Sequence, residues 1–238
     1  MKCWMNLGIS GQCSWPDRQL EVTFGNQHFV LMPRTRENSA SIHLETILDN
    51  HNLDALTTVN RFLSVVSWSD KQSLHNEYGW AGNPIPVAVP APNLARSINP
   101  HFLIRWNPLP EPKQRLAVAL YREAMSVNSL PYQFLGFFKI INILYKSGSA
   151  QVNWIKATLP KLTAGFVHER IAALQEFEPD VAQYLYESGR CAVAHAFSDP
   201  LIDPDDQTHL RRLSADLDVA RALAEYLIKH ELHVPDYP

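Results

Sequence analysis

A chain of 238 residues with 46% hydrophobic and 19% charged residues is long enough for one large domain or two small ones. Its composition excludes wholesale disorder. The formal net charge of −3 removes any diffuse electrostatic reason to bind nucleic acid, so a polynucleotide partner requires a local basic groove, such as two chains together can make. Cys3, Cys13 and Cys191 lack CxxC spacing, which fits thiols in a reducing compartment better than a disulfide framework. The N-terminal run has neither the apolar core nor the cleavage site of a signal peptide. No apolar run approaches the roughly 20 residues that span a bilayer. The expectation is a cytoplasmic protein with no membrane contact.

In chain order, residues 1–50 read as β-rich. Leu20 to Phe24 alternates apolar and polar, Gly25-Asn26 offers a turn, and His28 to Leu31 resumes the apolar run, a hairpin signal. Ser41 to Leu44 adds a strand. From Asp54, a candidate N-cap, the apolar residues Leu56, Val59, Phe62, Leu63 and Val66 recur at helical spacing. Pro84, Pro86, Pro90 and Pro92 then forbid helix, and His101 to Trp106 reads as a last strand. Residues 1–106 therefore form a small β-rich α+β domain, with no phosphate loop, metal cluster or nucleophile elbow in sight.

Residues 107–112, with three prolines, read as a stiff linker. Residues 113–238 then become almost wholly helical. One helix runs from about Pro112 to Ser126 and a second from Leu130-Pro131 to about Tyr145. The second is apolar around much of its circumference and so belongs at the centre of a bundle. Shorter helices cover Ala150 to Leu159 and Val167 to Phe177, and a final helix with a leucine stripe runs from Asp206 to Leu232.

Between these lies DVAQYLYESGRCAVAHAF, Asp180 to Phe197, an amphipathic helix with a start signal at Pro179-Asp180. It sets Arg190 and His195 among alanines that permit close helix approach. A guanidinium grips phosphate with a planar fork, and imidazole titrates near neutrality, so the pair is a candidate phosphodiester-handling site. Five positions separate the two by about 140° around a regular helix, so they cannot point the same way without a second copy or a distorted helix end. The bland reading gives Arg190 a salt bridge to Glu187 and makes His195 a helix C-terminal cation.

An Arg-x4-His pair late on an inner helix of a C-terminal bundle resembles the HEPN superfamily. LAVALYREAMSVNSLPYQFLGFFKIINIL, ESGRCAVAHA and DPDDQTHLRRLSADLDVARALAEYL resemble, more narrowly, its Apea-like branch of methylamine-utilisation protein MauJ, over roughly residues 112–230. The resemblance implies a metal-independent endoribonuclease in many members, and a silent dimerisation or nucleotide-binding module in others. In active members two chains pair and line one cleft with both pairs. Carried over, Arg190 orients the scissile phosphate and His195 moves a proton at the ribose 2′-hydroxyl or the leaving oxygen, giving a 2′,3′-cyclic phosphate and a 5′-hydroxyl. The residue after the arginine, commonly Asn, Asp or His in active members, is here Cys191. The alternative is a silent homodimer serving as an accessory protein, with an operon-encoded partner. Neither reading calls for a cofactor or metal.

Other features read as structural. His230 to His233 lacks zinc-protease spacing and reads as a frayed tail, and His168-Glu169-Arg170 as a solvated helix start. Asp199, Asp203, Asp205 and Asp206 lack EF-hand spacing and read as a rigid loop capping the next helix. Arg211-Arg212 reads as a charged outer face, with phosphate contact across a dimer groove as the alternative, and Cys191 as a small buried hydrophobe ahead of a reactive thiol.

Overall fold

The computed structural model describes residues 2–47, 53–91, 102–103, 105–163, 165–195, 202–203 and 206–236. The chain divides into two compact units, residues 1–111 and 112–236.

The first unit is built on a six-stranded sheet in the order β5-β1-β4-β3-β2-β6. Its strands are β1 (Lys2–Gly11), β2 (Leu20–Phe24), β3 (Gln27–Met32), β4 (Ser41–Ile47), β5 (Leu74–Asn83) and β6 (Arg105–Trp106). All neighbours are antiparallel except β2 and β6. The β2–β3 hairpin forms where the sequence placed it, with Gly25 at φ 60° in the turn, a conformation glycine adopts without steric cost. Helix α1 (Leu53–Asp70) covers one face. Phe62 on α1 stacks on Phe29 at 5.0 Å between ring centroids and meets Phe24 and Trp106 edge-on at 5.7 and 5.8 Å. Asp54 lies in the first turn of α1 and is not its cap. The expected strand over 101–106 reduces, among the described residues, to Arg105–Trp106.

The opposite face of the sheet is polar and roofed. Asn6 pairs with His43 across β1 and β4, and residues after β5 cross above them. Val87 N donates to Asn6 Oδ1 at 2.9 Å, and Ser39 N to Val89 O at 2.7 Å. The prolines flanking Val87 and Val89 carry no N–H and cannot build a ladder, so the segment lies over the sheet as a cover.

In the second unit α2 (Pro112–Ser126), α3 (Leu130–Ile141), α4 (Gly148–Thr158) and α5 (Gly165–Gln175) precede a composite helix. That helix is α6 (Val181–Tyr184), a π-helical stretch π1 (Leu185–Cys191) and α7 (Ala192–Ala194). Helix α8 (Gln207–Tyr226) likewise continues as π2 (Leu227–Glu231). The α3 face of Phe134, Phe137, Phe138, Ile140 and Ile141 is buried. So is the stripe of Leu213, Ala220, Leu223 and Ala224 on α8 and of Leu227 at the start of π2. Helix α3 stops at Ile141 instead of Tyr145 because the chain tightens there. Ile143 N bonds to Ile140 O at 3.1 Å and Leu144 N to Ile141 O at 3.3 Å, each reaching three residues back in the manner of a closing 3₁₀ turn.

Charged side chains tie the bundle together. Asp216 on α8 is 2% exposed. Its Oδ1 accepts from Arg170 Nε and Nη2 at 2.9 and 2.7 Å, and its Oδ2 from Tyr184 Oη at 2.8 Å. Arg170 is therefore a half-buried anchor, while His168 and Glu169 are exposed as a solvated helix start requires. The expected frayed tail is also corrected, since Glu231 at the end of π2 accepts from Tyr145 Oη at 2.7 Å and Trp154 Nε1 at 2.5 Å. Burial and that carboxylate push the Tyr145 phenol up to about 12.

Candidate active site

Asp180 begins the composite helix as its N-cap, its side chain accepting from Gln183 N at 3.2 Å. The Tyr184–Asp216–Arg170 cluster then fixes the chain immediately before π1. Within π1 the backbone widens: Ala192 N reaches back to Glu187 O, five residues, as well as to Gly189 O. Such single-turn expansions recur at functional sites. Gly189 sits where the wider turn meets α3, and a Cβ there would run into Phe134 Cε1 and Cζ. The extra residue therefore fits only because it has no side chain.

The widening decides the geometry. Arg190 is the penultimate residue of π1 and no longer follows the 100° step of an α-helix. After α7 the backbone leaves the helix at His195, with φ −132° and ψ 115°, which swings the imidazole back along the chain. Arg190 Nη1 and His195 Nε2 come to 3.4 Å within one chain. The expectation that one helix cannot bring them together holds for a regular helix, and this helix is irregular at both residues. Arginine has only donors, so Nε2 of His195 is the acceptor in this contact. Glu187 accepts instead from Gln183 Nε2 at 2.6 Å, so among the described residues the expected Arg190–Glu187 bridge does not form. His195 does occupy the C-terminal cap position of α7.

Two further side chains complete the group. The Tyr186 ring lies 5.6 Å from the Arg190 guanidinium carbon, within cation–π range. Its phenol is raised above its ordinary value, first by burial and next by the Cys191 thiol beside it. Gly148 at the start of α4 makes room for that phenol, since a Cβ there would come 2.5 Å from Tyr186 Oη. Cys191 Sγ is 3.8 Å from Arg190 Nη1, so the thiol is half-buried among polar groups and is not a small apolar filler. Arg190 Nε is buried and has no hydrogen-bond partner, leaving the guanidinium with an unused donor. Tyr186 is a member of the site that the sequence reading does not single out. Its signal is the i, i+4 spacing to Arg190, which places it on the same side of the helix.

The remaining candidates separate. Arg212 turns inward to the Tyr184 phenol, which burial raises above its ordinary value, and Arg212 Nη2 is buried without a partner. Asp206 is the N-cap of α8, its Oδ1 accepting from Thr208 N at 2.7 Å. Asp199 and Asp205 lie outside the described residues. Among the described residues no group of three His, Cys, Asp or Glu side chains is placed to hold a metal ion, and no helix is long and apolar enough to cross a membrane.

The second unit is thus a helical bundle carrying an Arg-x4-His pair on a π-distorted inner helix. A family model described as methylamine utilization protein MauJ matches residues 117–229, from within α2 to within π2, and the second unit is similar to that family over this span. No curated protein matches the chain, and no solved structure does.

Proposed function

We propose that the protein is a HEPN-type, metal-independent endoribonuclease whose catalytic pair is Arg190 and His195. One observation carries this reading: the 3.4 Å approach of Arg190 Nη1 to His195 Nε2, made within one chain. It sets a fixed cation beside an imidazole nitrogen able to serve as a base. Arg190 grips the scissile phosphate and stabilises the charge that grows on its oxygens. As the guanidinium turns from His195 to the phosphate it frees Nε2, which takes the proton of the 2′-hydroxyl; the 2′-oxygen attacks phosphorus, and the P–O5′ bond breaks. The leaving oxygen takes a proton from water and the resulting hydroxide takes back the proton held by His195, giving a 2′,3′-cyclic phosphate and a 5′-hydroxyl. General-base assistance of this kind is worth about 10²–10⁴-fold. The reading keeps the homodimer that the resemblance implies, with each chain contributing its own Arg190 and His195.

Cys191 favours a second reading, a catalytically silent module acting as an accessory protein with a protein or nucleotide partner. A thiol next to Arg190 orients a phosphate poorly. The test is cleavage of end-labelled single-stranded RNA in excess EDTA by the wild type, Arg190→Ala and His195→Ala. Cleavage that survives EDTA, leaves cyclic phosphate ends and disappears in both variants supports the nuclease. Equal background in all three leaves the silent module, and nucleotide-dependent thermal stabilisation then identifies a binding role.

A further inference from the structure

Trp80 and Asn83 on β5 are three residues apart, and the two-residue period of a strand would put them on opposite faces. They meet because the pairing register shifts between Trp4 and Met5, which leaves Gly82 without a partner on β1. Gly82 takes φ 121°, and a Cβ there would meet nothing within 4 Å, so the bulge projects into open space. A bulge re-aims the side chains around it. This one turns Asn83 to the Trp80 side, where Trp80 Nε1 donates to Asn83 Oδ1 at 2.6 Å.

The pair is held from the sheet. Asn6 Nδ2 donates to the same Asn83 oxygen at 3.1 Å, while Asn6 Oδ1 accepts from Val87 N at 2.9 Å and lies 2.8 Å from His43 Nδ1. Two donors on Oδ1 fix which end of the Asn83 amide is oxygen. Its Nδ2 is therefore directed away from them, and it has no partner among the described residues. Trp80 has spent its only N–H, so what it offers is its ring, and the residue is 37% exposed. Trp4, the β1 partner of Asn83, is half-buried beside them.

An open indole face beside an oriented amide donor suits a neutral ring with an apolar face and hydroxyl edges. The surrounding charges narrow the choice. Lys2, on the same face as Trp4, is paired with Glu45 at 3.3 Å. Glu77 Oε2 would lie 3.8 Å from a Cβ on Gly8, so it too borders this face. Carboxylates accept hydrogen bonds from hydroxyls and repel phosphates. We propose that the Trp80–Asn83 bulge is a binding site for a neutral saccharide. The C–H face of one sugar ring lies on the Trp80 indole, and a hydroxyl or ring oxygen accepts from Asn83 Nδ2. A nucleobase could stack in the same way, but the phosphates attached to it would meet Glu45 and Glu77. The site lies wholly within the first unit and does not rest on the nuclease reading.

Saturation-transfer difference NMR on the whole chain tests the proposal, with maltose, cellobiose, lactose and N,N′-diacetylchitobiose as probes at up to about 10 mM. At least one of them binds, with a dissociation constant on the order of 1 mM, and transfer is strongest to the C–H protons of one ring. Trp80→Ala abolishes the signal. Asn83→Asp keeps the oxygen that accepts from Trp80 and Asn6 and loses only Nδ2, and it weakens binding about tenfold. Circular dichroism melts accompany both variants, and Asn83→Asp decides the matter if Trp80→Ala does not fold. Failure of every probe to bind overturns the proposal, as does binding that Asn83→Asp leaves at the wild-type level. Adenosine or oligouridylate held at Trp80 more tightly than every sugar also overturns it, and assigns the bulge to base stacking instead.

Discussion

The molecule places one imidazole in each unit in contrasting company. His43 is 0% exposed. Its Nδ1 meets Asn6 Oδ1 at 2.8 Å and its Nε2 meets Ser41 Oγ at 2.9 Å. Hydroxyl to Nε2 and Nδ1 to an acceptor is the connectivity that activates a serine nucleophile, yet every atom lies beneath the segment that carries Val87. His195 is half-buried, hangs at a helix end and touches the Arg190 guanidinium. The lesson is that pairwise geometry does not distinguish structure from chemistry. A closed set of hydrogen bonds specifies a fold, whereas chemistry needs a group that a substrate can reach.

Exchanging the two losses sharpens this contrast most. On the proposed nuclease reading, His195→Ala removes the base and lowers RNA cleavage by about 10²–10⁴-fold, while the thermal midpoint changes little because the residue is only half-buried. His43→Ala leaves Ser41 and Asn6 short of a buried partner and opens a void. It costs about 2–4 kcal/mol of first-unit stability, and a cleavage assay below the melting transition is unaffected. Paired melts and initial-rate assays on the two proteins check both halves. A His195→Ala that unfolds, or a His43→Ala that melts like the wild type, breaks the distinction.

Acidification separates them next. Burial lowers the His43 pKa to about 4, while in the unfolded chain the group titrates near 6.5. Between those values the unfolded state binds the extra proton, so stability is fully present above about pH 6.5 and falls as pH drops toward about 4. The slope reaches about 1.4 kcal/mol per pH unit, on the order of 3 kcal/mol in total. Hydrogen exchange across β1 and β4 at about pH 7 and pH 4.5, corrected for intrinsic rates, should register the loss. His43→Ala should flatten it.

How much of the fold and site is legible in the sequence follows the same division. Where one local rule governs, the reading is close: Gly25 marks the β2–β3 turn, and the prolines after Trp106 mark the start of α2. Strand β1 is hard to see because Asn6, Gly8 and Ser10 alternate with Cys3, Met5, Leu7 and Ile9 yet are themselves buried, so no exposed polar face advertises the strand. Strand β5 is hidden because an edge strand, mostly exposed, has no apolar alternation to show. In the second unit Arg170 and Glu231 look like surface charges because their partners, Asp216, Tyr145 and Trp154, lie 46 to 86 residues away. The Arg190–His195 approach is least legible. A period of 3.6 cannot report a turn that abandons it.

That turn supplies the subtlest test. Gly189→Ala adds one methyl group, which must enter the space occupied by the Phe134 ring. The ring is 0% exposed and stacked on Phe138 at 5.2 Å, so it has little room to yield. Overpacking of this kind costs about 1–3 kcal/mol, and alanine's higher helix propensity returns at most about 1 kcal/mol of it. The cheapest relaxation is for π1 to slide away from α3. Arg190 follows Gly189 directly, so the slide carries its guanidinium away from His195, whose backbone lies beyond α7. We expect a modest fall in melting temperature and a larger loss in kcat than in KM for RNA, because the two groups still exist and only their separation has changed. Gly148→Ala, which instead crowds the Tyr186 phenol, should act the same way through the other side of the guanidinium. A Gly189→Ala protein that loses stability but cleaves at the wild-type rate would show that catalysis does not depend on the π-turn, and that the 3.4 Å approach is incidental to it.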